Sequence, residues 1–150
     1  MNIKAINKEI LRNFDILDKY EAGVILTGPE VKSIKQGKIN LKGSYVRLSR
    51  DGNLHLIGVH IAPYKPAGNA KTYNPTRSRK LLLNKREINN LSAKLRQKGL
   101  TVATTKVYTK KGLIKFEIAL LKGLKKHDKR AKIKKRDIDR DLAREIRAKL

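Results

Sequence analysis

Hydrophobic positions along the chain fall into short clusters whose spacing switches between the strand and helix periods. Ala22-Gly23-Val24-Ile25-Leu26 is a compact apolar run with β-branched residues, which predicts a strand. Thr27-Gly28 closes it. Pro29 suits the first turn of a helix, where its missing N–H costs nothing. Val31 and Ile34 give that helix one apolar face, Lys32, Lys35 and Gln36 point away, and Gly37 is placed for a left-handed cap. Ser44 to Leu48 predicts a second strand. Ser49 to Asn53 reads as a hairpin turn with Asp51-Gly52 at its tip. Leu54 to Ile61 returns as a strand apolar on both faces, hence central in a sheet.

The second half is punctuated more sharply. Residues 65–79 hold two prolines and a glycine without hydrophobic periodicity, which predicts a long loop. Asn84 stands three residues before Glu87, the spacing of a capping box. Ile88, Leu91 and Leu95 continue a helical face that Gly99 ends. Leu100 to Tyr108 and Leu113 to Leu121 predict two strands joined by a turn at 109–112. In the latter strand Ile114, Phe116, Ile118 and Leu120 share a face opposite Lys115 and Glu117. Residues 1–13 are polar, basic and weakly patterned. Several hairpin-connected strands with one helix early and one late suggest a small closed antiparallel β-barrel with inserted helices, of the α+β class.

The composition changes at Lys122. Beyond it the chain is nearly half basic with few large apolar residues. Ile138, Leu142, Ile146 and Leu150 recur every four residues, a stripe too thin to hold a lone helix in water. The division expected is a domain over 1–126 and a basic tail over 127–150 that is disordered when free and helical when docked.

Charge narrows the partners. Lys and Arg number 37 against 13 Asp and Glu, a net +24, an excess that points to a polyanionic partner. Nucleic acid fits better than an anionic membrane, because the C-terminal segment lacks the aromatic anchors of an interfacial helix. No run is long and apolar enough for a transmembrane helix, and the N-terminus has no signal-peptide pattern, so a cytoplasmic place is expected. The absence of Cys excludes disulfides, thiolate metal sites and a cysteine nucleophile. No metal site, cofactor or small-molecule substrate is read. His55, His60 and His127 form no metal or catalytic pattern. His55 and His60 point to opposite faces of their predicted strand, and the adjacent His127-Asp128 pair is poorly placed to act as base and orienter. No catalytic residue is assigned.

Ordered blocks along the chain resemble the SsrA-binding protein family, also called small protein B or SmpB. They include Glu21-Ala22-Gly23, Gly28 with Glu30-Val31-Lys32-Ser33, Gly37-Lys38, Ser44-Tyr45-Val46, Leu81-Leu82-Leu83-Asn84, and Gly123 with Lys126-His127-Asp128-Lys129-Arg130. Asn7-Lys8 matches a further block, and Arg12 stands where the family often has His. The resemblance implies an oligonucleotide-binding (OB) barrel and an RNA-binding protein without enzymatic activity. It would bind the tRNA-like part of transfer-messenger RNA and deliver it to stalled ribosomes for trans-translation.

The resemblance puts Glu21, Leu82 and Asn84 on the RNA-contacting surface. A carboxylate there can accept from base amino groups or a 2′-hydroxyl, and so adds selectivity. Lys32, Arg77, Arg79 and Lys80 join that surface as candidate basic contacts. Lys126, His127, Asp128, Lys129, Arg130, Ile138, Leu142 and Ile146 would meet the small-subunit decoding region and empty message channel. The free protein is expected to be a monomer. The residues alone also allow a structural ribosomal protein or a general RNA-binding barrel; an RNA-modifying enzyme is disfavoured because no nucleophile or cofactor motif occurs.

Overall fold

The computed structural model describes residues 1–68, 72–123 and 140. The expected tail, with Lys126 to Arg130 and the Ile138, Leu142 and Ile146 stripe, therefore lies outside the described residues. In chain order the described elements are β1 (Asn2–Ile6), α1 (Lys8–Asn13), β2 (Phe14–Val24), α2 (Gly28–Lys35), β3 (Ile39–Asn40), β4 (Tyr45–Leu48), β5 (Leu54–Ile57), β6 (His60–Ile61), β7 (Arg79–Leu82), α3 (Lys85–Leu95), β8 (Leu100–Lys110) and β9 (Leu113–Gly123). A short 3-10 turn spans Lys65–Ala67.

Seven strands form one antiparallel sheet in the order β1-β8-β9-β2-β7-β5-β4, and β3 pairs with β6 beside it. The hydrogen-bonded ladder ends at β1 and β4, so the closed barrel expected from sequence is replaced by an open sheet. The sheet still curves around one main core. Val46 on β4 and Val107 on β8 belong to the same buried cluster as Phe116, Ile118, Leu56, Leu81, Ile34 of α2 and Leu91 of α3.

Local chemistry explains the helices. Thr27 caps α2 and exchanges hydrogen bonds with Glu30, while Asn84 does the same for α3 with Glu87. The Asn84 box was legible. The Thr27 box has the same three-residue spacing and supersedes the expectation that Thr27 merely closes a strand. Gly37 takes the predicted left-handed conformation, φ +77°.

Four expectations need correction. Residues 1–13 form β1 and α1, with Asn7 buried as the cap of α1 and donating to the Leu41 carbonyl. The first predicted strand is the end of a longer one that begins at Phe14. The predicted strand 54–61 breaks at Gly58, whose φ of +80° a β-branched residue would resist. His55 and His60 consequently sit on different strands of different sheets. The loop 65–79 includes the 3-10 turn, and its last residue already belongs to β7.

Two bulges decide which side chains meet solvent. β2 shifts register between Ile16 and Asp18, and β8 between Thr104 and Lys106. At one end of the outer sheet face Phe14, Ile16, Ala103, Ala119 and Leu121 pack under Ile10 of α1, forming a second small core. At the other end the same face carries Lys19, Glu21 and Gly23 of β2 beside Lys115 and Glu117 of β9.

Candidate nucleic-acid interface

The open half of the outer face assembles the residues singled out in the sequence. Gly23 pairs with Leu82 across β2 and β7. A Cβ at Gly23 would make ordinary contact with the Leu82 side chain, 3.5 Å from its Cβ, so Leu82 lies directly beside this position of β2. Leu82 is 50% exposed, unusual for a leucine within a sheet. β7 ends at Leu82, and Asn84 follows two residues later as the cap of α3. Asn84 accepts from the Glu87 N–H at 2.8 Å, and its amide N–H2 group has no partner among the described residues. Leu82 thus stands at the edge of the β2–β7 pairing, with Glu21 two residues before Gly23 on β2 and Asn84 two residues beyond Leu82, where it also holds α3 in place.

Basic residues flank this edge on both sides. Lys80 of β7 is opposite His55 of β5, which is opposite Arg47 of β4, so Lys80 and Arg47 stand on either side of His55. On the other side Lys19 and Lys106 lie 3.8 and 3.9 Å from Glu117 Oε1, and Lys110 lies 3.7 Å from Glu21 Oε2. The sequence missed Arg47, His55, Lys19, Lys106 and Lys110 as members of one face. Their common placement follows from strand register and the bulges, which a single strand's periodicity does not reveal. Lys32 is exposed on α2, outside the sheet.

One expected RNA contact is used entirely inside the fold, and another in part. Arg79 is fully buried: Nε donates to Glu30 Oε2 at 2.7 Å, Nη1 to the Val59 carbonyl at 2.8 Å, and Nη2 to the Pro75 carbonyl at 2.9 Å. Its assignment as an RNA contact is corrected to a structural one, because no guanidinium edge reaches the surface. Arg77 also donates to Glu30 and reaches the Ile25 carbonyl at 3.3 Å. Its side chain remains one-third exposed, so part of it faces solvent. Glu30, unnoticed as a charged core residue, ties both arginines. Burial opposes its ionisation, but the bonds from Arg77, the Thr27 N–H and Arg79 together pull its pKa down to about 2.

Glu21 is set up differently. The Tyr108 hydroxyl donates to its Oε2. This bond comes first; burial opposes it, and the nearby Lys110 and Lys115 charges add to it, so that the Glu21 carboxyl is held below its ordinary range. Burial first, then the Glu21 hydrogen bond and the Glu21 and Glu117 charges, push Tyr108 up to about 12. The phenol therefore keeps its proton and the carboxylate stays an acceptor. Residues 1–123 carry 25 of the 37 Lys and Arg but only 8 of the 13 Asp and Glu, so they are strongly cationic by themselves. No group of three or more potential metal ligands occurs among the described residues. Among them, too, no helix is long and apolar enough to cross a membrane.

Fold and face define a class first: a small, basic, strand-rich protein that offers an open sheet surface to a polyanion. The chain belongs to the SmpB family; the sequence model described as "SmpB protein" matches residues 4–148. Its relatives include the SsrA-binding protein of Persephonella marina, 47% identical over 100% of this chain and 97% of the relative. The SsrA-binding protein of Solidesulfovibrio magneticus is 51% identical over 95% and 91%, respectively. Among solved structures, a chain described under "tmRNA-SmpB: a journey to the center of the bacterial ribosome" superposes with TM-score 0.67 and 41% identity. The match covers 81% of this chain and 85% of that one.

Proposed function

We propose that this protein binds the tRNA-like part of transfer-messenger RNA and brings it to stalled ribosomes for trans-translation. Family membership over nearly the whole length carries the reading, supported by the likeness to a tmRNA–SmpB structure. Glu21, Leu82 and Asn84 supply selective contacts, a carboxylate and an amide for nucleotide donors and acceptors and an apolar side chain for a base or ribose. Lys80 and the exposed edge of Arg77 supply charge beside them, and Lys32 adds charge from α2. The mechanism is binding and delivery, with no bond made or broken by this chain.

The same reading takes the sheet, curved around one core with α2 and α3 packed on it, as a variant of the OB type. It assigns residues 1–126 to transfer-messenger RNA and residues 127–150 to the decoding region and message channel of the small subunit. Action on the ribosome implies the cytoplasm.

The test is capture of the full chain from bacterial cells followed by sequencing of the bound RNA. Enrichment of one small RNA with a tRNA-like end is expected. Stoichiometric ribosomal RNA without it would instead identify a structural ribosomal protein.

A further inference from the structure

Glu21 and Glu117 are direct cross-strand partners on β2 and β9, a juxtaposition of like charges that costs stability unless each has its own donors. Their donors differ in kind. Glu117 is fully engaged: Lys19 and Lys106 approach Oε1, and the Thr105 hydroxyl donates to Oε2. Glu21 is engaged on one side only. Tyr108 donates to Oε2 and Lys110 approaches the same atom, while Oε1 has no hydrogen-bond partner among the described residues. The two carboxylates are therefore not equivalent, and only Glu21 keeps an acceptor to offer.

Tyr108 is suited to hold it. The residue is 5% exposed, so packing fixes where the hydroxyl points. An unheld glutamate on an exposed strand would sample several rotamers and lean towards Lys110 or Lys115. We infer that Tyr108 is a positioning residue for RNA recognition: its phenol fixes one oxygen of Glu21 and leaves the other aimed outward to accept from an amino or 2′-hydroxyl group of an unpaired nucleotide. This rests on the proposed role of Glu21. Holding the carboxylate before binding removes part of the ordering cost at the moment of contact. It also turns a charge that would otherwise repel RNA into a directional acceptor. The groups facing Glu21 are Lys19 on its own strand, Glu117 and Lys115 on β9, Lys106, Tyr108 and Lys110 on β8, and Leu82 on β7.

The test compares wild type, Tyr108→Phe, Glu21→Ala and the double variant. Each is titrated with the transcribed tRNA-like half of transfer-messenger RNA and with an unrelated RNA duplex. Phe keeps the ring, so the fold should persist, and thermal unfolding checks this. Tyr108→Phe should weaken binding to the tRNA-like RNA by roughly ten- to a hundredfold, the size expected for one charge-assisted hydrogen bond, and leave the duplex unaffected. The double variant should bind no worse than Glu21→Ala alone, since both remove one contact. Selectivity should fail at a higher pH in Tyr108→Phe than in wild type, because without the phenol the Glu21 carboxyl protonates closer to its ordinary pKa. If Glu21→Ala weakens the specific RNA but Tyr108→Phe does not, the inference fails and the role of Glu21 stands. If Tyr108→Phe loses both RNAs equally, with a lowered unfolding temperature, its role is structural and the inference fails. If Glu21→Ala has no effect, the proposed RNA face itself is wrong.

Discussion

At the scale of single residues, the two glutamates in the family-like blocks have opposite tasks. Glu30 is inside, fully buried with Arg79. Removing one partner of a buried pair leaves the other charge uncompensated, so Glu30→Gln should cost about 3–5 kcal/mol of folding stability, read by denaturant titration at neutral pH. Acid should reveal the same pair. The folded Glu30 pKa, about 2, lies below its ordinary 4.5, so its stabilisation is present above pH 4.5 and is lost as pH falls towards 2. Wild type should show this segment of acid unfolding and Glu30→Gln should lack it. Glu21, outside, should behave in reverse: Glu21→Ala should change stability little and RNA selectivity much. Asn84 combines both tasks. Asn84→Ala should lose about 1 kcal/mol from the α3 cap, visible in thermal unfolding, in addition to its effect on the tRNA-like RNA. Equal losses of Glu21→Ala and Asn84→Ala on specific and unrelated RNA would make both residues structural.

At the scale of elements, the bulges and α1 divide one sheet face between a packed half and the open half proposed to meet RNA. Ile10 is the residue by which α1 covers its half. Ile10→Ala should open that second core and cost about 2–5 kcal/mol in denaturant titration, leaving the distant RNA edge intact in a binding assay of the folded fraction. This division also marks the limit of what the sequence could tell. The Asn84–Glu87 box, the hairpin turns and the period of two in β9 were legible because each is written in neighbouring residues. β1 and α1 were not, since five exposed-to-half-buried strand residues and a six-residue helix carry little periodic signal. The start of β2 was hidden by Leu17, which sits in the bulge and changes which residues of the strand face out. Glu21 and Leu82 were legible only through resemblance. The burial of Arg79 was not legible at all, for its partner Glu30 is 49 residues away. Tyr108, 87 residues from Glu21, was missed for the same reason.

At the scale of the molecule, positive charge is spread over residues 1–123 as well as the rest of the chain. RNA affinity should fall steeply with salt. If ~6 phosphates are neutralised, the binding constant should drop by on the order of a thousandfold between 50 and 200 mM salt. Because residues 1–123 hold most of the basic side chains, deleting residues 127–150 should leave much of that slope and of the affinity for free transfer-messenger RNA. The same deletion should abolish rescue in a reconstituted translation system stalled on a message lacking a stop codon. A salt-independent affinity would refute the phosphate account, and normal rescue by the shortened protein would refute the role given to 127–150.

The strand order has a consequence for how the chain is made. β1 waits for β8, and the long β2 leans on β9 for nearly its whole length, sharing only Gly23 and Val24 with the earlier β7. A chain emerging from a ribosome in N-to-C order thus presents β1 and most of β2 before any lasting neighbour exists. Closing such distant pairs is slow, because the connecting chain must be ordered before the contacts repay it. The hairpin of β8 and β9, synthesised last among the described strands, supplies the template on which both earlier strands settle. The sheet is therefore completed only once translation has passed Gly123, so a nascent copy cut short before β9 has no assembled outer sheet face to display.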